Sequence, residues 1–279
     1  MLFSSYVPPS FCVNFTVPHP KGRVTGLAKV DDYRGIAVSS VLAKLFESCI
    51  LALYGDLLAS CDAQFGFKTN LGCTHAVHVV KSVIDGYTAG GNTAHLCAID
   101  VAKAFPSVNH YSLLSKLIKR NVPVTLLDLL EFWLRNTRCQ VRWNGKFSAD
   151  YGLRIGLNQG SVLAPALFAV LIDDVLKTVN RRAFGVVVGY ADDIIIISRS
   201  LYLLQLLFSD IESGLLRLGL RLNVTKCMCL KIGPNFESHP SNIISVSGSP
   251  IGWVDEIRYL GVFLREGNRF RASFDAAKT

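Results

Sequence analysis

The sequence predicts an α+β fold, an antiparallel sheet with helices packed on one face and a split β-α-β unit as its core. Three observations predict it. From Leu96 onward the chain reads as strand, helices, strand pair, helix, strand pair, helix and then short strands. The strand-like runs are β-branched and apolar, whereas the helical stretches place apolar residues three and four apart. Gly, Pro and Asn punctuate the joins between them.

Residues 1–10, with Pro8 and Pro9, read as a loose arm. Phe11 to Val17 alternates apolar and polar residues and predicts a strand; Pro18 to Gly26 predicts a turn. Ser40 to Ser60 predicts a helix whose apolar stripe is Leu42, Leu45, Phe46, Ile50 and Leu53. A second helix covers Thr74 to Tyr87, and Gly86, Gly90 and Gly91 break the chain after it. Leu96 to Ile99 is a short strand ending in Asp100, followed by helices at Tyr111 to Arg120 and Leu126 to Arg135. Cys139 to Trp143 and Ser148 to Arg154 form a hairpin around Asn144–Gly145, a turn dipeptide whose residues accept positive φ. A helix at Ser161 to Val179 precedes two β-branched runs, Val186 to Val188 and Ile194 to Ile197, and another helix spans Tyr202 to Leu218. Short strands follow near Lys226 to Ile232, Ile243 to Val246 and Ile257 to Leu264.

Half of the 279 residues are hydrophobic and 18% are charged, so a large core is expected and wholesale disorder is not. A net charge of +8 suits a polyanionic partner such as nucleic acid, although mildly basic proteins of other kinds are common. The eight cysteines are scattered without a Cys-x-x-Cys, which points to a reducing, intracellular compartment, nucleus or cytoplasm. The spacing of Cys73, His75 and His78 matches no standard zinc pattern. No apolar run reaches the roughly 18 residues of a membrane-spanning helix, and the N-terminus lacks the features of a signal peptide. No membrane association is expected, and no firm protein partner is indicated.

Asp192 and Asp193 sit between two apolar runs, where a tight turn is expected. Adjacent carboxylates in a recessed turn repel each other, and a divalent cation relieves that cost; an exposed Asp–Asp tip needs no metal. Asp100 ends a strand and so can face such a turn, although a strand-end aspartate is common without one. The loop Gly156–Leu157–Asn158–Gln159–Gly160 leads into an apolar helix, and its glycines allow close backbone approach to a flat ligand; a plain loop before a helix start at Ser161 reads equally well.

In this order the segments resemble the motifs of reverse transcriptases, above all those of non-LTR (LINE-type) retrotransposons. Tyr33–Arg34–Gly35–Ile36 with Lys44 and Glu47, and then Gln64–Phe65–Gly66–Phe67–Lys68, resemble fingers motifs. Ala98 to Phe105 resembles motif A, Gly156 to Pro165 motif B, and Tyr190–Ala191–Asp192–Asp193 motif C. Leu218–Gly219–Leu220 through Asn223 and Lys226 resembles motif D, and Tyr259–Leu260–Gly261 the primer grip. The likeness runs over residues 11–264.

The resemblance implies a right-hand polymerase: fingers over residues 1–95, palm over 96–110, a fingers–palm connection over 111–155, palm again over 156–264, and a truncated start of the thumb over 265–279. It implies that Asp100 and Asp192, with Asp193 in support, hold two Mg²⁺ ions for which Mn²⁺ can substitute. RNA template, DNA primer and dNTPs are the implied partners. Arg34 would bind the incoming triphosphate, since guanidinium offers several donors in a fixed fork. Lys103 would lie near the same phosphates, and Lys21 would help from the fingers. Phe105 would exclude a 2′-hydroxyl. Gln159 and Gly160 would meet the nucleotide and template, Tyr190 the primer end, and Tyr259, Leu260 and Gly261 the primer backbone. Lys226 would be the general acid for pyrophosphate.

Pro106 replaces a frequent Asp of the family and Ala164 a frequent Ser. The thumb is expected to be missing or truncated, with the endonuclease and nucleic-acid-binding regions absent, as in a fragment or truncated copy. The rival readings are an RNA-directed RNA polymerase, against which Phe105 argues, a group II intron maturase, and an inactive retroelement remnant that at most binds RNA.

Overall fold

A computed structural model describes residues 6–21, 29–182, 184–237 and 241–273. Residues 1–5 of the expected arm, 22–26 of the expected turn and 274–279 of the expected thumb start lie outside the described residues. In chain order, α1 (Pro9–Cys12), β1 (Val13–Pro20), β2 (Tyr33–Val38) and α2 (Val41–Tyr54) come first. Then follow α3 (Cys73–Ala89), β3 (Ala94–Asp100), α4 (His110–Lys119), α5 (Val124–Asn136), β4 (Arg138–Trp143), β5 (Lys146–Phe147) and β6 (Tyr151–Gly152). Next are α6 (Ala164–Asn180), β7 (Val186–Tyr190), β8 (Asp193–Ser198), α7 (Leu201–Arg217) and β9 (Met228–Ile232). The last strands are β10 (Ile243–Ile244), β11 (Pro250–Ile251), β12 (Glu256–Tyr259), β13 (Val262–Arg265) and β14 (Arg271–Ser273).

The chain divides into two compact units, 1–59 with 105–171, and 60–104 with 172–279. This division cuts elsewhere than the expected fingers and palm boundaries, because residues 60–95 cluster with the second unit.

In the first unit, β2, β1, β4 and β5 form a sheet with β6 paired to β4. β1 is antiparallel to β2 and parallel to β4. Phe11, Phe46 and Trp133, from α1, α2 and α5, pack their rings together with centroids 6.0 to 6.4 Å apart. The expected loose arm is anchored here: Val7 is buried and Pro9–Cys12 is helical. The expected apolar stripe of α2 is corrected as well. Leu42, Leu45 and Leu53 are exposed, and the buried face is Ala43, Glu47 and Ile50. β2 went unpredicted because its residues do not alternate; only pairing with β1 makes it a strand. The Asn144–Gly145 turn forms as expected, with φ of +46° and +76° and Trp143 opposite Lys146.

In the second unit, β7, β8, β3 and β9 form an antiparallel sheet in that order. Leu96, Val188, Ile195, Ile197 and Leu230 pack on α3 through Ala76, Val80 and Ile84. Ile194 and Ile196 point to the opposite face and are also fully buried, where α7 lies against β3 and β8. The α+β class therefore holds, but helices cover both faces of this sheet rather than one. A continuous Ile194–Ile197 run demands this, because every residue of such a strand must leave water.

Candidate active site

The second unit builds its site from strand register. Gly189 pairs with Ile194 and Tyr190 with Asp193, leaving Ala191–Asp192 as a two-residue turn. On the other edge of β8, Asp100 pairs with Asp193. Directly opposed residues point to the same face of a sheet, so register alone brings these two carboxylates together. Asp192 is half-buried in the turn beside them, and Asp193 is exposed. Ala191 takes φ +57°, a left-handed conformation that residues with a Cβ disfavour.

Motif D docks on the same strand end. The Asp100 carbonyl accepts from Asn223 N at 2.9 Å, and the Asn223 carbonyl accepts from Lys226 N at 2.9 Å. The Lys226 ammonium is 3.9 Å from Asp100 Oδ2. Lys226 is largely exposed, so water screens this pair and it adds little to stability.

Tyr259 and Val262 pair across a turn made by Leu260 and Gly261, whose φ values are +49° and +83°. Tyr259 and Leu260 line one cleft with Asp100, Asp193 and Lys226. The Tyr259 hydroxyl is buried and has no hydrogen-bond partner among the described residues. Burial pushes its pKa well up, and the nearby Asp193 charge pushes it further. Tyr190 is half-buried, and its hydroxyl is pushed up first by a hydrogen bond with Cys73 and then by burial. Lys103 is exposed at φ +46°, just beyond Ala102, whose N–H donates to the Arg221 carbonyl at 2.8 Å.

The first unit gathers the other expected residues. The Ala37 N–H donates to the Gln159 carbonyl at 2.6 Å, which docks the motif B loop on the strand that carries the exposed Arg34. Gly160 sits at φ +122°, and a Cβ there would lie 2.2 Å from the Ala37 oxygen. Phe105 is half-buried, and its ring stacks on the fully buried Phe168 with centroids 5.0 Å apart. Its carbonyl accepts from Leu157 N at 2.8 Å, and the Gly156 N–H donates to the Val108 carbonyl at 2.8 Å. A Cβ at Gly156 would meet the Pro106 oxygen at 2.7 Å, so the glycine permits this contact. Glu47 completes the loop from below. Its carboxylate accepts from Ser161 Oγ at 3.0 Å, from Leu163 N at 3.3 Å and from Val162 N. Burial raises the Glu47 pKa, while these hydrogen bonds and Lys44 oppose that rise. Glu47 was noted in the sequence only as part of a motif. Its signal was a carboxylate in register with Ala43 and Ile50 on one helix face.

Among the described residues, no group of three His, Cys, Asp or Glu side chains converges as a metal-holding set. The donor chemistry still fits a hard divalent cation. Two carboxylates share a sheet face and a third, Asp192, lies in the adjoining turn, and oxygen donors are what Mg²⁺ and Mn²⁺ take.

The chain matches the family described as Reverse transcriptase (RNA-dependent DNA polymerase) over residues 20–264. It belongs to the reverse transcriptase family. Among curated relatives of this chain is the Retrovirus-related Pol polyprotein from type-2 retrotransposable element R2DM of Drosophila melanogaster. It is 25% identical over 98% of this chain and 27% of its own length. The RNA-directed DNA polymerase from mobile element jockey of Drosophila funebris is 26% identical over 87% of this chain and 28% of its own length. The chain thus spans about a quarter of the length of these curated relatives. Among solved structures, telomerase from Candida tropicalis in complex with a fragment of telomeric RNA aligns with a TM-score of 0.69. That alignment has 12% identity and covers 98% of this chain and 46% of that one. At this identity it shows the fold alone.

Proposed function

We propose that this chain is the catalytic core of an RNA-directed DNA polymerase of a non-LTR retrotransposon. It extends a primer 3′-hydroxyl with dNTPs on an RNA template. The observation that carries this reading is the opposition of Asp100 and Asp193 across β3 and β8, beside Asp192, in a chain of this family. Reverse transcriptases generally use divalent metals. Asp100, Asp192 and Asp193 would hold two Mg²⁺ ions, or Mn²⁺ in their place. Bound there, the ions supply charge neutralisation of the triphosphate and acidify the primer hydroxyl.

The primer 3′-oxygen bonds to the α-phosphorus as the bond to the bridging oxygen breaks, and pyrophosphate leaves. Lys226 delivers a proton to that leaving group, Arg34 and Lys103 bind the phosphates, and Tyr190 with Tyr259, Leu260 and Gly261 supports the primer end. Phe105 is the steric gate beneath the sugar, and its stacking on Phe168 supports that role by holding the ring in place. Gln159 and Gly160 contact the base-paired nucleotide. The first unit's sheet exposes Phe15 and Phe147 together with Arg34, Arg138 and Arg142, a surface suited to the backbone and bases of a template. On this reading residues 1–95 carry fingers functions, residues 96–110 and 156–264 the palm, and the protein works inside the cell.

The test is extension of a DNA primer on an RNA template by the purified chain with Mg²⁺ or Mn²⁺, beside Asp192→Ala. Metal-dependent extension that falls by about a thousandfold or more in the variant is expected. Extension retained by Asp192→Ala refutes the carboxylate assignment, and none from a folded wild-type chain favours the inactive remnant. Phe105→Ala should raise ribonucleotide use relative to deoxynucleotide by roughly tenfold or more. An unchanged ratio removes the gate.

A further inference from the structure

We propose that Gln64 is a positioning residue that clamps the Tyr190–Asp193 turn in the shape that presents its carboxylates. This rests on the polymerase reading only for its consequence in activity; the clamp itself is a claim about the turn.

The turn needs a clamp because Ala191 has φ +57°. A residue with a Cβ stays in that region only where its surroundings over-determine it. Gln64 provides that determination. Its side-chain oxygen accepts from Ala191 N at 2.9 Å, and its side-chain nitrogen donates to the Ala191 carbonyl at 3.3 Å. One amide therefore holds both peptide groups that flank the strained residue. The same oxygen accepts from Gly66 N at 2.9 Å. Two backbone N–H donors converge on one side-chain atom, so that atom must be the oxygen, and this fixes the orientation of the amide.

Gln64 is fully buried, and its own backbone is pinned beside the hairpin. Gly189 N donates to the Ala63 carbonyl and Phe65 N to the Gly189 carbonyl, each at 2.7 Å. Gly66 allows the close approach, since a Cβ there would lie 2.5 Å from Ala191 N. Among side chains of this length only an amide offers an acceptor and a donor at once. A carboxylate only accepts, and an apolar chain would leave the Ala191 N–H and carbonyl unpaired in a buried place.

The experiment uses Gln64→Leu, Gln64→Glu and the double variant Gln64→Leu with Ala191→Gly. Hydrogen–deuterium exchange reports on residues 190–193, and primer extension reports kcat and KM for dNTP. In Gln64→Leu the turn amides should exchange about tenfold faster while β3 and α3 keep their protection. Gln64→Glu keeps the acceptor and loses the donor, so its exchange should lie between. Should Gln64→Leu fail to fold, this milder variant decides the matter.

In extension assays kcat should fall about tenfold with KM for dNTP nearly unchanged, as expected when a group acts through the geometry of the reacting centre. Glycine adopts positive φ freely, so Ala191→Gly should restore much of that loss in the Gln64→Leu background. Unchanged exchange in the turn overturns the clamp. A loss of kcat that Ala191→Gly does not relieve also overturns it, since Gln64 would then act only by packing. A wild-type chain that extends no primer counts against the polymerase reading, while the exchange data still decide the clamp.

Discussion

The two main sheets of this protein meet opposite constraints. The β7-β8-β3-β9 sheet is covered on both faces, and its strands Ile194–Ile197 and Leu96–Ile99 are almost free of polar side chains. The β2-β1-β4-β5 sheet leaves one face open, where Phe15, Val17, Ile36 and Val38 remain partly in water beside Arg34 and Arg142. The difference teaches where each kind of chemistry can live. A sheet buried on both sides cannot slip by one residue without turning its apolar side chains the wrong way, so it can hold two carboxylates in a fixed relation. An open sheet can spend its side chains on binding a partner.

The largest test of this contrast lies in paired core and surface substitutions. Ile196→Ala should cost about 3 kcal/mol in urea unfolding, as cavity formation in a closed core does. Phe15→Ala on the open face should cost under about 1 kcal/mol. Similar costs would mean that the open face is structurally closed after all.

Backbone approach in the first unit gives a smaller effect. Gly160→Ala combines φ +122° with a Cβ 2.2 Å from the Ala37 oxygen, so a loss of about 2 kcal/mol is expected. Gly145→Ala shares a positive φ but meets open space, and should lose about 1 kcal/mol. Equal losses by thermal unfolding would show that the docking of the motif B loop on β2 contributes nothing.

The smallest effect separates charge from capping at Glu47. Glu47→Leu removes the acceptor of the Val162 and Leu163 N–H groups and should cost about 1 kcal/mol. Burial raises the Glu47 pKa, so the folded protein holds this proton more tightly than the unfolded chain. The resulting penalty is absent below the ordinary carboxylate range and grows as pH rises through the raised value. Glu47→Gln should therefore match the wild type at acid pH and gain on it toward neutral pH. A wild type that instead gains on Glu47→Gln as pH rises would show that hydrogen bonding, rather than burial, dominates this carboxylate.

Much of the fold was legible because local chemistry dictates it. Asn144–Gly145 accepts positive φ and makes its turn wherever the chain places it, and the β-branched runs around Asp192 exclude a helix. α6 shows the limit of such reasoning. Its helical pattern begins at Ser161, yet the helix starts at Ala164, because Ser161, Val162 and Leu163 direct their polar groups to Glu47. The stripe of α2 was right at Ile50 and Phe46 and wrong at Leu42, Leu45 and Leu53: both of its faces carry apolar residues, and only packing chose Ala43, Glu47 and Ile50 for the buried face.

By itself the sequence determined the strands and the turn that flank the carboxylates, that Asp100 ends one strand, and that Asp192 and Asp193 lie between two others. These properties depend on neighbours along the chain, through φ/ψ preference and apolar periodicity. Only the tertiary structure decided that Asp100 stands opposite Asp193, that the Tyr259 hydroxyl is buried near them, and that Gln64 holds the strained Ala191. Each joins residues distant in sequence, and register and burial are settled by packing the whole sheet.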